Sequence, residues 1–195
     1  GKVKIKYQRA KPYFSEDDRK DILSKIDSIL TTGNISQGKY VSEFEQKFAE
    51  KISTKHAVAT NSCTSALEIS IRALGLKDKK ILVTTNTFVA SVNSIILSGN
   101  IPLIVDIDKE TLCMSKGSIL DNLDNDVGAI MWVHMAGLIS PQFFEIKSIC
   151  DEKDIFIIED AAHAHGASVD GVMAGNLGEV GCFSFYPTKV LATGE

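Results

Sequence analysis

Phe156-Ile157-Ile158-Glu159-Asp160-Ala161-Ala162-His163 is a β-branched apolar run that ends in a carboxylate, and its reading decides the fold. A run this short, opening into small residues, reads as a buried strand that delivers Asp160 to its C-terminal end. Downstream, Gly181-Cys182-Phe183-Ser184-Phe185-Tyr186-Pro187-Thr188-Lys189 repeats the form. The apolar residues Cys182 to Phe185 predict another short buried strand, Tyr186-Pro187 starts a loop, and the loop carries Lys189 five residues after Ser184. Upstream, Ala57-Val58-Ala59-Thr60, Ile81-Leu82-Val83, Pro102-Leu103-Ile104-Val105-Asp106 and Gly128-Ala129-Ile130-Met131-Trp132-Val133 are further strand candidates, separated by helical stretches. Five or six strands alternating with helices call for an α/β fold with a largely parallel sheet. An acid and an amine then share the carboxyl edge of that sheet, where ligands bind in open α/β folds.

Composition narrows the function classes. The chain has 195 residues, 44% of them hydrophobic, and a formal charge of −4. That is enough for one sizeable core, and it offers neither a basic stripe for nucleic acid nor an electrostatic footprint for an anionic membrane. Cys63, Cys113, Cys150 and Cys182 are widely spaced, which speaks against a zinc ribbon and for reduced thiols packed as small hydrophobes. No signal-like segment and no apolar run of about 20 residues is present, so the expected location is the cytoplasm.

The helical stretches carry their own signals. Ser15 with Asp18 predicts a capped helix bearing Ile22, Leu23, Ile26, Ile29 and Leu30, stopped at Gly33, after an extended N-terminal arm. Ser42-x-x-Glu45 predicts the cap of a second helix with Phe44, Phe48 and Ile52 on one face. Asn61-Ser62-Cys63-Thr64-Ser65 leads from the first strand into a helix, and it reads either as an anion cradle at a helix N-terminus or as a plain cap formed by Ser65 and Glu68. Phe88, at the start of the next helix, is either core packing or an aromatic face for a flat ring. Helices are also expected over residues 116–123 and 141–153. Asp106 and Asp108 read as strand-end caps, and His134 and Gly137 fall in the expected crevice.

A lysine amine at a strand edge needs a chemical reason, and a Schiff base to pyridoxal phosphate supplies one, with Asp160 as partner of the pyridine nitrogen. The runs Asp160-Ala161-Ala162-His163-Ala164-His165-Gly166-Ala167, Cys182 to Lys189 and Thr193-Gly194-Glu195 resemble the signature of the DegT/StrS family of pyridoxal-phosphate-dependent nucleotide-sugar aminotransferases. The resemblance implies an α/β/α sandwich with a mostly parallel sheet, like the large domain of fold-type I aminotransferases. On that pattern residues 1–55 are an N-terminal arm and helices and residues 56–195 an incomplete large domain, with the small C-terminal domain lying beyond the chain.

The resemblance also assigns roles. Lys189 and Asp160 become the catalytic pair, and Cys63, Thr64, Phe88, His163 and Ser184 join them around pyridoxal 5′-phosphate. Cys63 stands where the family has a glycine and His163 where it more often has glutamine. Lys189 argues against the related sugar dehydratases, which carry histidine there. The implied reaction moves an amino group from a donor such as glutamate to a ketone of a nucleotide-linked sugar, in two half-reactions through pyridoxamine phosphate, in a homodimer. The alternatives are a non-catalytic binding or regulatory protein on the same fold, or an inactive fragment. Two rivals are weaker. A metal site at Asp160, His163 and His165 is opposed by strand alternation, and a dinucleotide oxidoreductase lacks its Gly-x-Gly-x-x-Gly turn. Residues 1–195 alone are expected to aggregate and to be inactive, because the Ala57–Thr60 strand would miss its neighbour.

Overall fold

The structure is a computed structural model that describes residues 11–193. Most of the expected N-terminal arm and the Gly194-Glu195 end of the last motif lie outside the described residues. Five parallel strands form the sheet: β1 (Lys80–Thr84), β2 (Ile101–Val105), β3 (Val127–Val133), β4 (Phe156–Asp160) and β7 (Val180–Cys182), in the order β2-β1-β3-β4-β7. A short antiparallel hairpin of β5 (Ser168–Val169) and β6 (Val172–Met173) stands apart from it.

Strand alternation divides the core between two helical layers. Ile81, Val83, Ala129, Met131 and Ile158 face α3 (Cys63–Ala73) and α4 (Val89–Leu97), where they meet Leu67, Ile71 and Ile95. Leu82, Ile130, Trp132 and Ile157 face α5 (Lys116–Asn122) and α6 (Phe143–Glu152), where they meet Ile119, Phe143, Ile146 and Cys150. The result is the expected α/β/α sandwich with a parallel sheet. Because β2 and β3 flank β1 on opposite sides, the loops leaving β1 and β3 part at their carboxyl ends and open a crevice.

The first helix, α1 (Glu16–Thr32), has the expected capping box. Ser15 Oγ accepts from Asp18 N at 3.0 Å, and Asp18 Oδ2 accepts from Ser15 N at 3.0 Å. Gly33 closes the helix at φ 75°. Among the described residues, however, nothing buries its apolar side chains: Ile29 is half-buried, and Leu23 and Leu30 are 66% and 68% exposed. Helix α2 (Lys39–Ile52) begins three residues ahead of the predicted cap, with Gly38 at the N-cap position, so Ser42 lies inside the helix.

The Ala57–Thr60 strand does not form. The segment belongs to no sheet among the described residues, Val58 is exposed, and Ala59 N donates to Glu45 Oε1 at 2.8 Å in place of a strand partner. Glu45, expected in a helix cap, serves this tether. The last strand also departs from expectation, for β7 ends at Cys182. Phe183 and Phe185 leave the sheet because their rings meet α2 edge to face: Phe48 lies 5.0 Å from Phe183 and 5.3 Å from Phe185, and Phe44 lies 5.2 Å from Phe185. The β5–β6 hairpin turns through Asp170 and Gly171, both at positive φ, in a two-residue Asp-Gly turn. Asp106 and Asp108 accept from backbone N–H groups just after them, which agrees with their reading as strand-end caps.

Candidate active site

Asp160 sits at the C-terminal end of β4 and is 6% exposed. By alternation it follows Ile158 toward the α3/α4 layer, whereas Glu159 follows Ile157 toward the other layer. Its Oδ2 accepts from Ser91 Oγ of α4 at 2.7 Å, and its Oδ1 accepts from Ala162 N at 3.2 Å. Both oxygens are therefore fixed before any ligand is considered.

Glu159 does a different job. Its Oε1 accepts from Leu177 N at 2.8 Å and Gly178 N at 2.7 Å, while Oε2 accepts from Gly175 N at 2.7 Å and lies 2.8 Å from His134 Nε2. Glu159 and His134 are both fully buried. The Glu159 carboxylate accepts, so His134 Nε2 is the donor. His134, expected in the crevice, is thus part of a structural pin on the far side of the sheet.

The crevice is instead lined by Ala136, two residues on. Ala136 and Gly137, at φ 53° and 83°, make a tight turn in which Leu138 N donates to Met135 O at 3.0 Å. A Cβ on Gly137 would meet His163 O at 3.0 Å, so glycine meets both the backbone angle and the close approach. Ala136 then faces His163, Thr188, Lys189 and Val190 around a cavity of about 250 Å³. Sequence patterns gave no signal for Ala136.

Helix α3 points its N-terminus at this edge and packs against β4 and β7. Its cap is Ser62, whose Oγ accepts from Ser65 N at 3.2 Å, and not the predicted Ser65 with Glu68. Glu68 pairs with Arg72 one turn on. The N–H groups of Cys63 and Thr64 precede the first intrahelical bond and are available to an anion. The Cys63 side chain turns inward among Leu67, Ile71 and Cys182. Burial, and then the negative charge of Asp160, push its thiol far up from its ordinary pKa, so it stays protonated. Burial likewise pushes Cys182 up to about 12.

Ser184, almost buried, holds the turn after β7 by accepting from Tyr186 N at 3.4 Å, and its own proton remains to be donated. Lys189 N donates to Tyr186 O at 2.8 Å, which folds the loop so that the side chain lines the cavity. Burial and then the Lys189 charge hold His163 below its usual pKa, while Asp160 pulls weakly the other way. His165 is lowered by the same two causes in the same order. The charges of Asp160 and Lys189 are both felt at Cys63, and both at His163, so these residues share one neighbourhood. Phe88 stands at the N-cap of α4, 72% exposed and free of the core. Among the described residues no group of three or more His, Cys, Asp or Glu side chains is placed to hold a metal ion.

Lys189 and His163 line the cavity, the buried Asp160 ends the neighbouring strand β4, and the starts of α3 and α4, the latter with the exposed Phe88, lie at the same carboxyl edge of the sheet. A profile of the DegT/DnrJ/EryC1/StrS aminotransferase family matches residues 16–195. GDP-perosamine synthase of Vibrio cholerae is 35% identical over 185 residues, which are 94% of this chain and 49% of that protein. An aminotransferase from Psychrobacter cryohalolentis superposes with a TM-score of 0.86 at 31% identity, over 94% of this chain and 46% of its own. GDP-4-keto-6-deoxy-D-mannose-3-dehydratase of Escherichia coli, with hydrated pyridoxal phosphate bound, superposes with a TM-score of 0.87 at 28% identity, over 97% and 49%. The chain spans about half the length of the curated relatives it matches. It belongs to the DegT/DnrJ/EryC1/StrS aminotransferase family, whose cofactor is pyridoxal 5′-phosphate.

Proposed function

We propose that the protein containing this chain transfers an amino group from an amino acid donor such as glutamate to a keto group of a nucleotide-linked sugar. The observation that carries this reading is the convergence of Lys189, Asp160 and the α3 N-terminus on one carboxyl edge of the sheet. Bound there, pyridoxal phosphate supplies an aldehyde carbon that exchanges one amine for another and a ring that draws electron density from the reacting carbon.

Asp160 holds the proton on the ring nitrogen through a charge-assisted pair, shielded from water by its burial. The Cys63 and Thr64 N–H groups, the Thr64 hydroxyl and the Ser184 hydroxyl hold the phosphate. Cys63 acts through its backbone, since its side chain points into the core. Phe88 offers the ring a face, and His163 contacts the ring hydroxyl. Lys189 would hold the cofactor through its amine and would serve as the base that moves a proton from the donor carbon. Residues 56–195 serve as part of the large cofactor domain, with residues 1–55 as its N-terminal arm and helices, in a cytoplasmic homodimer. The exposed apolar side chains of α1 support a covered face there. Lysine at position 189 favours amino transfer over the dehydratase chemistry of the Escherichia coli relative.

The test is a pair of half-reactions in the full-length protein. Glutamate should bleach the visible absorption of the bound cofactor and release its keto acid, and a nucleotide-linked keto sugar should restore the absorption and gain nitrogen by mass spectrometry. Absorption unmoved by every amino donor would favour a non-catalytic binding protein. A sugar product that loses oxygen without gaining nitrogen would favour dehydration.

A further inference from the structure

Helix α4 and its C-cap carry three buried serines, Ser91, Ser94 and Ser98, and one behaves unlike the others. Ser94 Oγ donates to Ser91 O at 2.9 Å and Ser98 Oγ donates to Ile95 O at 2.8 Å, the usual way for a helical serine to satisfy its proton within its own helix. Ser91, fully buried, turns its proton out of the helix to Asp160 Oδ2 at 2.7 Å. Its oxygen has a second neighbour, Thr87 Oγ1, also at 2.7 Å. A serine has one proton, and an ionised carboxylate only accepts, so the direction is set: Thr87 donates to Ser91, and Ser91 donates to Asp160. Each bond in such a chain polarises the next, and no water competes at Ser91.

We propose that Thr87 and Ser91 form a hydroxyl relay that positions the Asp160 carboxylate, making both of them positioning residues of the cofactor site. The relay holds one carboxylate oxygen from α4 while Ala162 N holds the other from the loop after β4, so the carboxylate plane cannot turn about its side-chain bond. It also joins two ring-facing elements, for Thr87 immediately precedes the exposed Phe88. Ser91 sits in the first turn of α4, where the helix dipole favours the carboxylate's charge. The inference rests on Asp160 meeting the cofactor ring, as proposed above.

The experiment uses full-length holoprotein with Ser91→Ala, Thr87→Val and Ser91→Thr, each made with Asp160 intact and with Asp160→Asn. Three quantities are read: the dissociation constant for pyridoxal phosphate, the pH midpoint of the bound cofactor's visible absorption, and the melting temperature of the cofactor-free protein. With Asp160 intact, Ser91→Ala should weaken cofactor binding about tenfold and move the pH midpoint, and Thr87→Val should do the same less strongly. Ser91→Thr should restore both, and the cofactor-free melting temperature should hardly change. With Asp160→Asn, the Ser91→Ala effect should shrink below about twofold, since the relay then has no carboxylate to orient. Equal losses in both backgrounds, or a lower melting temperature with an unmoved pH midpoint, would overturn the relay alone. Failure of the unsubstituted protein to bind pyridoxal phosphate would overturn the cofactor reading, and the relay with it.

Discussion

Two adjacent carboxylates, Glu159 and Asp160, have opposite work because a strand sends successive side chains to opposite faces. Asp160→Asn should leave the cofactor bound but lower amino transfer by about a hundredfold or more, because an amide cannot hold the ring-nitrogen proton as an anion does. Steady-state kinetics beside cofactor titration checks this, and undiminished turnover would remove Asp160 from the mechanism. Glu159→Gln should do the reverse. An amide presents an NH₂ to a cluster of donors that needs an acceptor, so the expected loss is about 3–5 kcal/mol in denaturant unfolding. The carboxylate that ends the strand was legible in the sequence, and so was its edge position. That its neighbour pins the Gly175–Gly178 loop and His134 was not, since those donors come from residues distant along the chain and carry no motif.

At the scale of elements, the segment that carries Ser184 and Lys189 is held to α2 by aromatic contacts. Periodicity identified the Phe44, Phe48 and Ile52 face correctly, but the apolar run Cys182 to Phe185 looks like strand whether its rings face a sheet or a helix. The rings settle the matter, with Phe183 and Phe185 outside the sheet against α2. His165 lies within the same cluster, 5.3 Å from Phe183 and 5.2 Å from Phe185. Its pKa is lowered by burial and then by the Lys189 charge, so below its ordinary value near 6.5 the unfolded chain binds the proton more readily. The neutral ring's contribution is complete above about pH 6.5 and is lost as pH falls through the lower folded value. Melting temperature should therefore drop between pH 7.5 and pH 5.5, and His165→Phe should flatten that drop. An unchanged acid slope in the variant would assign the sensitivity elsewhere.

At the scale of the whole molecule, the alternation of strands and helices predicted the sandwich, and Asp160 ends β4 while Lys189 follows the end of β7, on the same carboxyl edge of its sheet. Two things were not legible. The position of the crevice depends on β2 and β3 flanking β1, a non-local pairing, and the failure of Ala57–Thr60 to pair depends on which strand lies beside it. The apolar face of α1, read as core from its spacing, is exposed in this chain. Residues 1–195 expressed alone should therefore self-associate and bind cofactor weakly, which light scattering and cofactor titration would reveal. A monodisperse monomer would mean that these faces tolerate water. The measurement that bears most directly on the central claim is borohydride reduction of the full-length protein loaded with pyridoxal phosphate, followed by peptide mapping. A single covalent label on Lys189 is the predicted result, and a label on another residue, or none, would contradict the assignment of this edge as the cofactor site.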